Sequence, residues 1–402
     1  MSRQTDVVIG GGGMVGATLA LALAQGGLKV IVVDPVPPAA ATDAKFDGRV
    51  SALSYSSQRM FEALGVWPKL QKDAQPILDI LVTDAPPPFS LHFDSSEIGR
   101  AMGAIAENRH IRRCLFDALD AEKNITLIAP AAMTGLEDEG GKIVAALSNG
   151  EKISASLAVA ADGRESPMRD EMGLGVIGWS YPQMGIVATV EHEKPHDGVA
   201  YEHFLPSGPF AILPMTGNRS SLVWTEKDTL APAMMKLPED EFNAEIAKRF
   251  GDHLGATKAA GPRWSYPLKF HLARSFVKTR FALCGDSAHG IHPIAGQGLN
   301  LGLKDAAALA ETLLDSARLG LDIGALDVLK RYERWRRFDS FTLAAATDGL
   351  NRLFSNDIVP LRIARDLGLG IVDGIAPLRR FFMRHAGGDI GKLPRLLKGE
   401  AA

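Results

Sequence analysis

An uncharged run of eighteen residues near the start of the chain, Val7 to Ala24, restricts the fold more than any other segment. It contains five glycines, four of them consecutive at Gly10 to Gly13, and the β-rich run Lys29 to Val33 follows it and ends at Asp34. The run is long enough for a membrane helix or a signal peptide, but the consecutive glycines and the preceding Asp6 argue against both. The order of strand, glycine turn, helix and strand predicts a β-α-β unit with parallel strands and a right-handed crossover.

The glycine turn has the spacing G-x-G-x-x-G, formed by Gly11, Gly13 and Gly16. Such glycines permit a tight turn and a close approach of the backbone to a pyrophosphate, which the following helix N-terminus also favours. Asp34 lies eighteen residues beyond Gly16 and is expected to accept hydrogen bonds from the ribose hydroxyls of an adenosine. The context indicates a dinucleotide site, and a turn whose glycines serve packing alone is the alternative.

Two further segments place a carboxylate at the end of an apolar strand. Asp162 follows the strand Leu157 to Ala161 and begins the segment D-G-R-E-S-P-M-R, whose two arginines suit phosphate groups. Capping of the next helix by Asp162 and Ser166 is the alternative. Asp286 follows another apolar strand, and a helix is predicted to begin near Gly298 after a turn rich in Pro and Gly. The bare N–H groups at that helix start can stabilise negative charge on a ligand.

The stretch from His292 to Asp305, HPIAGQGLNLGLKD, resembles the ubiquinone-biosynthesis aromatic hydroxylases, which are flavin monooxygenases of the para-hydroxybenzoate hydroxylase superfamily. The segment at Asp162 fits the D-G-x-x-S-x-x-R pattern of the same superfamily. The resemblance implies that FAD is bound, with Asp286 on its ribityl chain and Asp162 supporting it. It also implies that one loop wraps the edge of the isoalloxazine ring, and the residues of this loop are Pro293, Gly296, Gln297, Gly298, Leu299 and Asn300.

Two arginines are assigned by the same resemblance. Arg49, in the segment D-G-R-V-S-A-L-S, is expected beside the flavin, and Arg109, in the segment E-N-R, is expected to contact the FAD phosphates. A solvated surface arginine is the alternative for each. Tyr181, Gln183 and His203 are candidate contacts on the substrate side, and no side chain is identified as a general acid or base.

The resemblance implies an FAD-dependent monooxygenase that hydroxylates the ring of a polyprenylated phenol in ubiquinone biosynthesis. In such enzymes reduced FAD reacts with O₂ to form a C4a-hydroperoxide that attacks the ring, and the protein supplies alignment and charge stabilisation. NADH, NADPH or a protein electron donor is the expected reductant. The alternatives are a hydroxylase of another phenol and a non-catalytic, flavin-bearing scaffold that assembles with other ubiquinone-biosynthesis proteins.

Composition and charge narrow the classes of partner. The formal net charge of −3 argues against general nucleic-acid binding. Cys114 and Cys284 are expected to be buried free thiols of a reducing compartment, which fits a cytoplasmic location. His289 and His292 have no completing ligands at zinc spacing, so no metal site is predicted. The stretch Pro377 to Arg384 interleaves basic and apolar residues, which indicates either peripheral contact with the inner membrane or a packed helix with a solvated basic face.

The predicted fold class is α/β. Residues 1–75, 98–175 and 271–345 are expected to form a discontinuous Rossmann-like FAD-binding domain. Residues 76–97 and 176–270 are expected to form an inserted substrate domain, because short runs separated by Gly, Pro and Asn turns indicate a mixed or antiparallel sheet. Residues 346–402 are expected to form a helical C-terminal region. Within the insert, Gly208 to Pro214 resembles the ubiquinone branch and is expected to shape the substrate wall, with a plain sheet core as the alternative.

Overall fold

The computed structural model describes residues 3–42, 47–84, 90–291, 296–354 and 372–402. Within these ranges the strands form three sheets. The first sheet contains β1 (Arg3–Gly10), β2 (Val30–Val33), β8 (Ile125–Ile128), β9 (Met133–Asp138), β10 (Ile143–Leu147), β11 (Lys152–Ala160), β17 (Val277–Lys278) and β18 (Phe281–Leu283). The second contains β5 (Asp79–Asp84), β6 (Ser90–Asp94), β12 (Val176–His192), β13 (Val199–Leu205), β14 (Gly208–Met215), β15 (Arg219–Lys227), β16 (Thr257–Ala273) and β19 (His289–Gly290). The third contains β3 (Val50–Ser54), β4 (Ala74–Ile77) and β7 (Gly103–Glu107).

The helices of the described ranges are α1 (Met14–Gln25), α2 (Pro38–Ala41), α3 (Tyr55–Ala63), α4 (Trp67–Leu70), α5 (Asn108–Ala121), α6 (Pro167–Glu171), α7 (Ala231–Lys236), α8 (Glu239–Phe250), α9 (Gln297–Arg318), α10 (Leu326–Phe354) and α11 (Ala376–Ala386). Short 3-10 helices occupy Gln71–Asp73, Ser95–Ile98, Gly285–Ser287 and Arg395–Lys398. In the part of the chain that the structure describes, no helix has the length and apolar character needed to cross a bilayer.

The predicted β-α-β unit is present at the centre of the first sheet. Strand β1 lies between β11 and β2 and pairs in parallel with both. Its residues Val7, Val8 and Ile9 are fully buried, as expected of a parallel sheet that is covered on both faces. Helix α1 packs on this sheet through small and apolar residues, and its neighbour on that side is α9. The predicted α/β fold class is confirmed, and the division into domains stays a prediction.

The second sheet is antiparallel apart from one pair, because β13 runs parallel to β5. Successive side chains of a strand point to opposite faces of its sheet. One face is closed by α7 and α8, and its core consists of Ile186, Ala188, Val190, Phe210, Ile212, Leu222, Trp224, Ala231, Phe242, Ile246, Phe250 and Leu254. The other face is therefore left to line a different part of the molecule.

A buried carboxylate connects helices α9 and α10 to the turn that follows β18 of the first sheet. Asp305 of α9 has no exposed surface, and its two oxygens have different partners. Arg336 of α10 donates from Nε to Oδ1 at 2.7 Å, while His289 Nε2 and Gly285 N lie 2.5 and 3.1 Å from Oδ2. Burial alone would raise the pKa of Asp305, but the charges of His289 and Arg336 outweigh it and hold the pKa below its usual range.

Two local structures differ from those expected from the sequence, and one expectation is confirmed. The sequence predicts a loop from Pro35 to Ala41, but Pro38 begins the short helix α2, since its fixed φ suits the first turn. The helix expected from Gln58 begins three residues earlier, because the Ser54 side chain accepts a hydrogen bond from Ser57 N and caps it. The expectation of buried free thiols at both cysteines is confirmed.

Replacing Asp305 by asparagine should destabilise the fold by about 3 kcal/mol, because it leaves the guanidinium of Arg336 buried with only Asp339 as an ionic partner. Urea unfolding measures this change. As a control, Arg3→Ala removes the exposed pair with Glu151 and should change the stability by less than about 1 kcal/mol. Equal stability of the Asp305→Asn and wild-type proteins would contradict the role given to this carboxylate.

Candidate FAD and substrate site

A cleft of about 570 Å³ lies between the first and second sheets. The N-terminal turns of α1 and α9 form one side of it, and strands of the second sheet form the other. Strand β3 contributes Val50, Ser51 and Ala52. This volume is within the range of small-molecule sites.

The glycine turn after β1 is shaped by close backbone contacts. Gly11 has a φ of +102°, and a Cβ there would lie 2.3 Å from the carbonyl oxygen of Ala161. A Cβ at Gly16 would lie 1.9 Å from the carbonyl oxygen of Gly11. These two glycines are therefore required by the fold itself, as the packing alternative predicts. Gly13 differs, because it lines the cleft and an added Cβ would have no neighbour within 4 Å.

Both helices begin at the cleft without a side-chain cap. Gly13 precedes α1, and Gly296, in the left-handed conformation with a φ of +63°, precedes α9. Gly298 lines the cleft in the first turn of α9, and a Cβ there would have no neighbour within 4 Å. The unpaired N–H groups of the two helices thus face a space that a negatively charged ligand can occupy.

Asp34 lies at the end of β2 and binds the glycine turn. Its Oδ2 accepts a hydrogen bond from Gly12 N at 2.5 Å, and its Oδ1 accepts one from Val36 N at 2.7 Å. A carboxylate has about four lone-pair sites, so it can accept from a ribose as well. The structure therefore places Asp34 beside the pyrophosphate turn, and the ribose contact stays a prediction.

The segments at Asp162 and Asp286 meet at the same cleft. Asp286 lines it and is exposed, whereas Asp162 is partly buried and its Oδ1 has no hydrogen-bond partner among the described residues. Burial raises the pKa of Asp162, and hydrogen bonds from Ser166 and Met168 N offset part of the effect. Ser166 also caps α6, so the capping alternative is correct for that residue.

The two arginines after Asp162 have separate roles. Arg164 lines the cleft. Arg169 is buried, and its Nη1 donates to the carbonyl oxygens of Arg164 and Ser287, at 2.8 and 3.2 Å. Only the first arginine therefore faces the ligand space, and the second joins two loops.

The start of α9 borders the cleft, and contact of these residues with the isoalloxazine ring stays a prediction. Gly296, Gly298 and Leu299 line the cleft, and Gln297 is the first helical residue. Asn300 faces the protein: its Nδ2 donates to Ala52 O, and its Oδ1 accepts from Ser54 N and Ser57 Oγ. Asn300 thereby fixes α9 to β3. Pro293 and His292 lie outside the described residues.

Comparison with known proteins identifies the family. The sequence matches the FAD binding domain family over residues 4–337. The ubiquinone hydroxylase UbiL of Rhodospirillum rubrum is 50% identical over 401 residues, which cover 99% of this chain and 93% of that protein. The chain belongs to the FAD-dependent hydroxylase family of ubiquinone biosynthesis. The 3-demethoxyubiquinol 3-hydroxylase of Escherichia coli is 35% identical, over 96% of this chain and 99% of that protein.

Solved structures share the fold of this family member at low identity. The p-nitrophenol 4-monooxygenase PnpA of Pseudomonas putida superposes with a TM-score of 0.81 at 18% identity, over 98% of this chain and 100% of that chain. PqsL of Pseudomonas aeruginosa superposes with a TM-score of 0.75 at 21% identity, over 88% and 97%. The predicted family and its FAD-dependent monooxygenase activity are confirmed by the family match and the curated relatives.

One arginine that lines the cleft was not identified from the sequence. Arg49 lines the cleft and pairs with Asp47 at 2.5 Å, whereas Arg109 is bound to the buried Glu107 at 2.6 Å. Arg112, one helical turn beyond Arg109, lines the cleft instead. Burial and the neighbouring charge of Arg49 lower the pKa of Arg112, so an anion placed between these two guanidinium groups would be stabilised. The contact of Arg109 with FAD phosphates stays a prediction.

Strands β12, β14 and β15 give the cleft a mostly apolar wall. Ala211 and Leu213 face the cleft, together with Val187 and Val223, while Phe210 and Ile212 belong to the core on the opposite face. Alternate residues of Gly208 to Pro214 thus line the cleft and fill the core behind it, and their contact with a substrate stays a prediction. The cleft-facing set also includes Glu202, to which sequence analysis assigned no role.

The substrate-side candidates make contacts within the protein. Tyr181 Oη donates to Asp348 Oδ1 at 2.8 Å, and Gln183 Nε2 donates to Ser207 O at 2.8 Å. His203 Nδ1 lies 2.7 Å from Thr83 Oγ1, and burial lowers the pKa of this histidine to about 4. None of the three is among the residues that line the cleft. Within the described ranges, no three His, Cys, Asp or Glu side chains are grouped as metal ligands.

A valine at Gly298 should weaken FAD binding at least about tenfold, which corresponds to about 1.4 kcal/mol, because its side chain would fill space beside the uncapped N-terminus of α9. Flavin absorbance during titration of the apoprotein measures the affinity. Gly349→Val is the matched control, since this glycine is an exposed residue of α10 whose added Cβ also meets no neighbour within 4 Å. Unchanged affinity in Gly298→Val would place the cofactor elsewhere.

Proposed function

We propose that this FAD-dependent monooxygenase hydroxylates the aromatic ring of a polyprenylated phenol in ubiquinone biosynthesis. The observation that carries the proposal is the apolar sheet wall opposite the two uncapped helix N-termini. The wall provides a hydrophobic surface for a prenylated ring through Val187, Ala211, Leu213 and Val223. The helix N-termini can stabilise negative charge. The names of the relatives in Rhodospirillum and Escherichia support the same substrate class.

In this proposal the cofactor lies along the helix side of the cleft. The pyrophosphate binds the glycine turn and the N-terminus of α1, with Asp34 on the adenosine ribose and Asp286 on the ribityl chain. Arg49 and Arg112 supply positive charge. The ring edge lies at the start of α9, where the helix dipole stabilises negative charge on it. When bound, FAD supplies the reduction of O₂ and the transfer of one oxygen atom. The protein orients the substrate and keeps water away from the reacting atoms.

The reductant in this proposal is NADH, NADPH or a protein electron donor, and O₂ is the co-substrate. A non-catalytic scaffold among other ubiquinone-biosynthesis proteins is the second candidate, and contacts with such proteins are compatible with either function.

Purified protein, supplied with FAD, a reductant, O₂ and a short-chain 2-prenylphenol, should form a hydroxylated phenol that contains one oxygen atom from O₂. Mass spectrometry after incubation under ¹⁸O₂ measures the incorporated label, and parallel reactions with NADH, NADPH and a photoreduced flavin identify the donor. Unprenylated phenol is the control for the apolar wall and should react more slowly. Flavin-loaded protein that gives no labelled product with any donor would favour the scaffold.

The proposal places the protein at the cytoplasmic face of the inner membrane, where a prenylated substrate would reside. Helix α11 supports this, because Phe381 and Phe382 are 51% and 41% exposed and lie between Arg380 and Arg384. Met383 is buried and anchors the helix to the protein. Exposed aromatic and basic side chains together favour the surface of an anionic bilayer.

Replacing both Phe381 and Phe382 by serine should reduce binding to anionic liposomes, because the two aromatic side chains would no longer enter the interface. Sedimentation with phosphatidylglycerol vesicles measures the bound fraction. Leu319→Ser is the control, since Leu319 is 72% exposed at the far end of α9. Equal sedimentation of the double variant and the wild type would reject α11 as the membrane contact.

A further inference from the structure

Glu202 is a carboxylate on the apolar wall of the cleft. It lies in β13 between Ala200 and Phe204, which share its face of the sheet and pack into separate apolar clusters. Its neighbours across the strands are Val82 on β5 and Ala211 on β14. Glu202 lines the cleft and is partly exposed there, and no hydrogen bond or ion pair joins it to another described residue. An unpaired carboxylate among apolar side chains lowers the stability of the fold, because no partner offsets the cost of burying its charge.

Few ionisable side chains of the neighbouring elements share the face of Glu202. Strand β14 has no ionisable side chain. On β13, the side chains of Tyr201 and His203 point to the face of the sheet opposite to that of Glu202. Strand β5 has Asp79, which binds His92, and Asp84, which is buried on the face of Glu202. On helix α10, which packs against β14, Asp348 binds Tyr181. The other ionisable residues that line the cleft are Arg49, Arg112, Arg164, Tyr266, Lys269, Cys284, Asp286 and His289.

Burial alone raises the pKa of Glu202 to about 7, without a contribution from a neighbouring charge. A carboxylate with such a pKa is a stronger base than an ordinary glutamate and is still largely ionised above neutral pH. The other cleft groups are less suitable. Burial raises the pKa values of Tyr266 and Cys284, so both remain protonated, and His289 is bound to Asp305.

We infer that Glu202 is the catalytic base that accepts the proton of the substrate's phenolic hydroxyl group, an inference that rests on the proposed function. In this step the O–H bond breaks, its electron pair stays on the phenolic oxygen, and the proton bonds to a carboxylate oxygen of Glu202. No electrons are exchanged with an oxidant. The phenolate donates electron density into the ring, so the carbons ortho and para to it react faster with an electrophilic oxygen. Glu202 loses the proton to water before the next turnover.

The test compares Glu202→Gln with the wild type by product formation from a 2-prenylphenol between pH 5.5 and 9. The amide keeps the shape but cannot accept the proton, so the hydroxylation rate should fall about 10²-fold or more. The wild-type rate should rise as the pH passes through about 7, because the carboxylate form then accumulates, and this step should be absent from the variant. FAD content and melting temperature should not change. Glu137→Gln, at an exposed position of β9, is the matched control.

Two further comparisons separate proton transfer from a structural role. A prenylphenol with ring fluorines that is already ionised at the assay pH should reduce the ratio of wild-type to Glu202→Gln rates toward one. Glu202→Asp keeps the carboxylate and should recover part of the rate and the pH step. An equal loss with the ionised phenol, or an aspartate variant as slow as the glutamine variant, would overturn the inference.

The outcomes also distinguish the inference from the proposed function. Wild-type protein that hydroxylates the prenylphenol, with a Glu202→Gln variant of equal rate and pH profile, overturns the role of Glu202 and leaves the proposed function intact. Flavin-loaded wild-type protein that hydroxylates no prenylphenol overturns both.

Discussion

The buried carboxylate of Asp305 is the constraint on which the geometry of the cleft depends. It joins α9 to α10 through Arg336, to β19 through His289, and to the turn after β18 through Gly285 N. A buried ion pair adds little to stability relative to an apolar replacement, because desolvation offsets the Coulomb attraction. Its directional bonds instead fix one position of α9. Since the first turn of α9 faces the cleft, Asp305 sets where those N–H groups point, two helical turns from its own position.

The second sheet achieves two functions with one set of strands because successive side chains alternate. Phe210 and Ile212 close the core under α8, while Ala211 and Leu213 form the wall of the cleft. A shift of one residue in the register of β14 would exchange the two sets. The ladders of β14 with β13 and β15 oppose such a shift. The substrate surface is therefore as firmly determined as the hydrophobic core behind it.

Much of this arrangement could be predicted from local sequence, and the failures have physical causes. Gly11 and Gly16 were identifiable from the sequence because their backbone contacts exclude a Cβ. Only glycine fits at these two positions, which produces the G-x-G-x-x-G spacing. Arg109 and Arg112 are two arginines of the same helix, so the sequence does not show which of them faces the cleft. Arg109 binds the buried Glu107, and Arg112 lines the cleft. Glu202 lies in a stretch that resembles the family, but its local sequence does not identify it as a base, since its apolar surroundings come from β5 and β14, which are distant in sequence. The position of Glu202 thus depends on pairings between distant segments, whereas the choice between Arg109 and Arg112 depends on the burial of the nearby Glu107.

Charge is distributed unevenly across the cleft, and this distribution explains how one space can hold two dissimilar molecules. Arg49, Arg112 and Arg164 line the cleft together with the helix N-termini, and they favour an anionic ligand there although the chain has a net charge of −3. The wall formed by strands β12 to β15 has Glu202 among aliphatic residues, which disfavours anions and accepts a neutral phenol, while Tyr266 and Lys269 line the cleft from β16. A phenolate formed there would be generated only after the ring has entered as an uncharged molecule. The positive potential of the arginines and the helix N-termini would then stabilise the new negative charge on the phenolic oxygen.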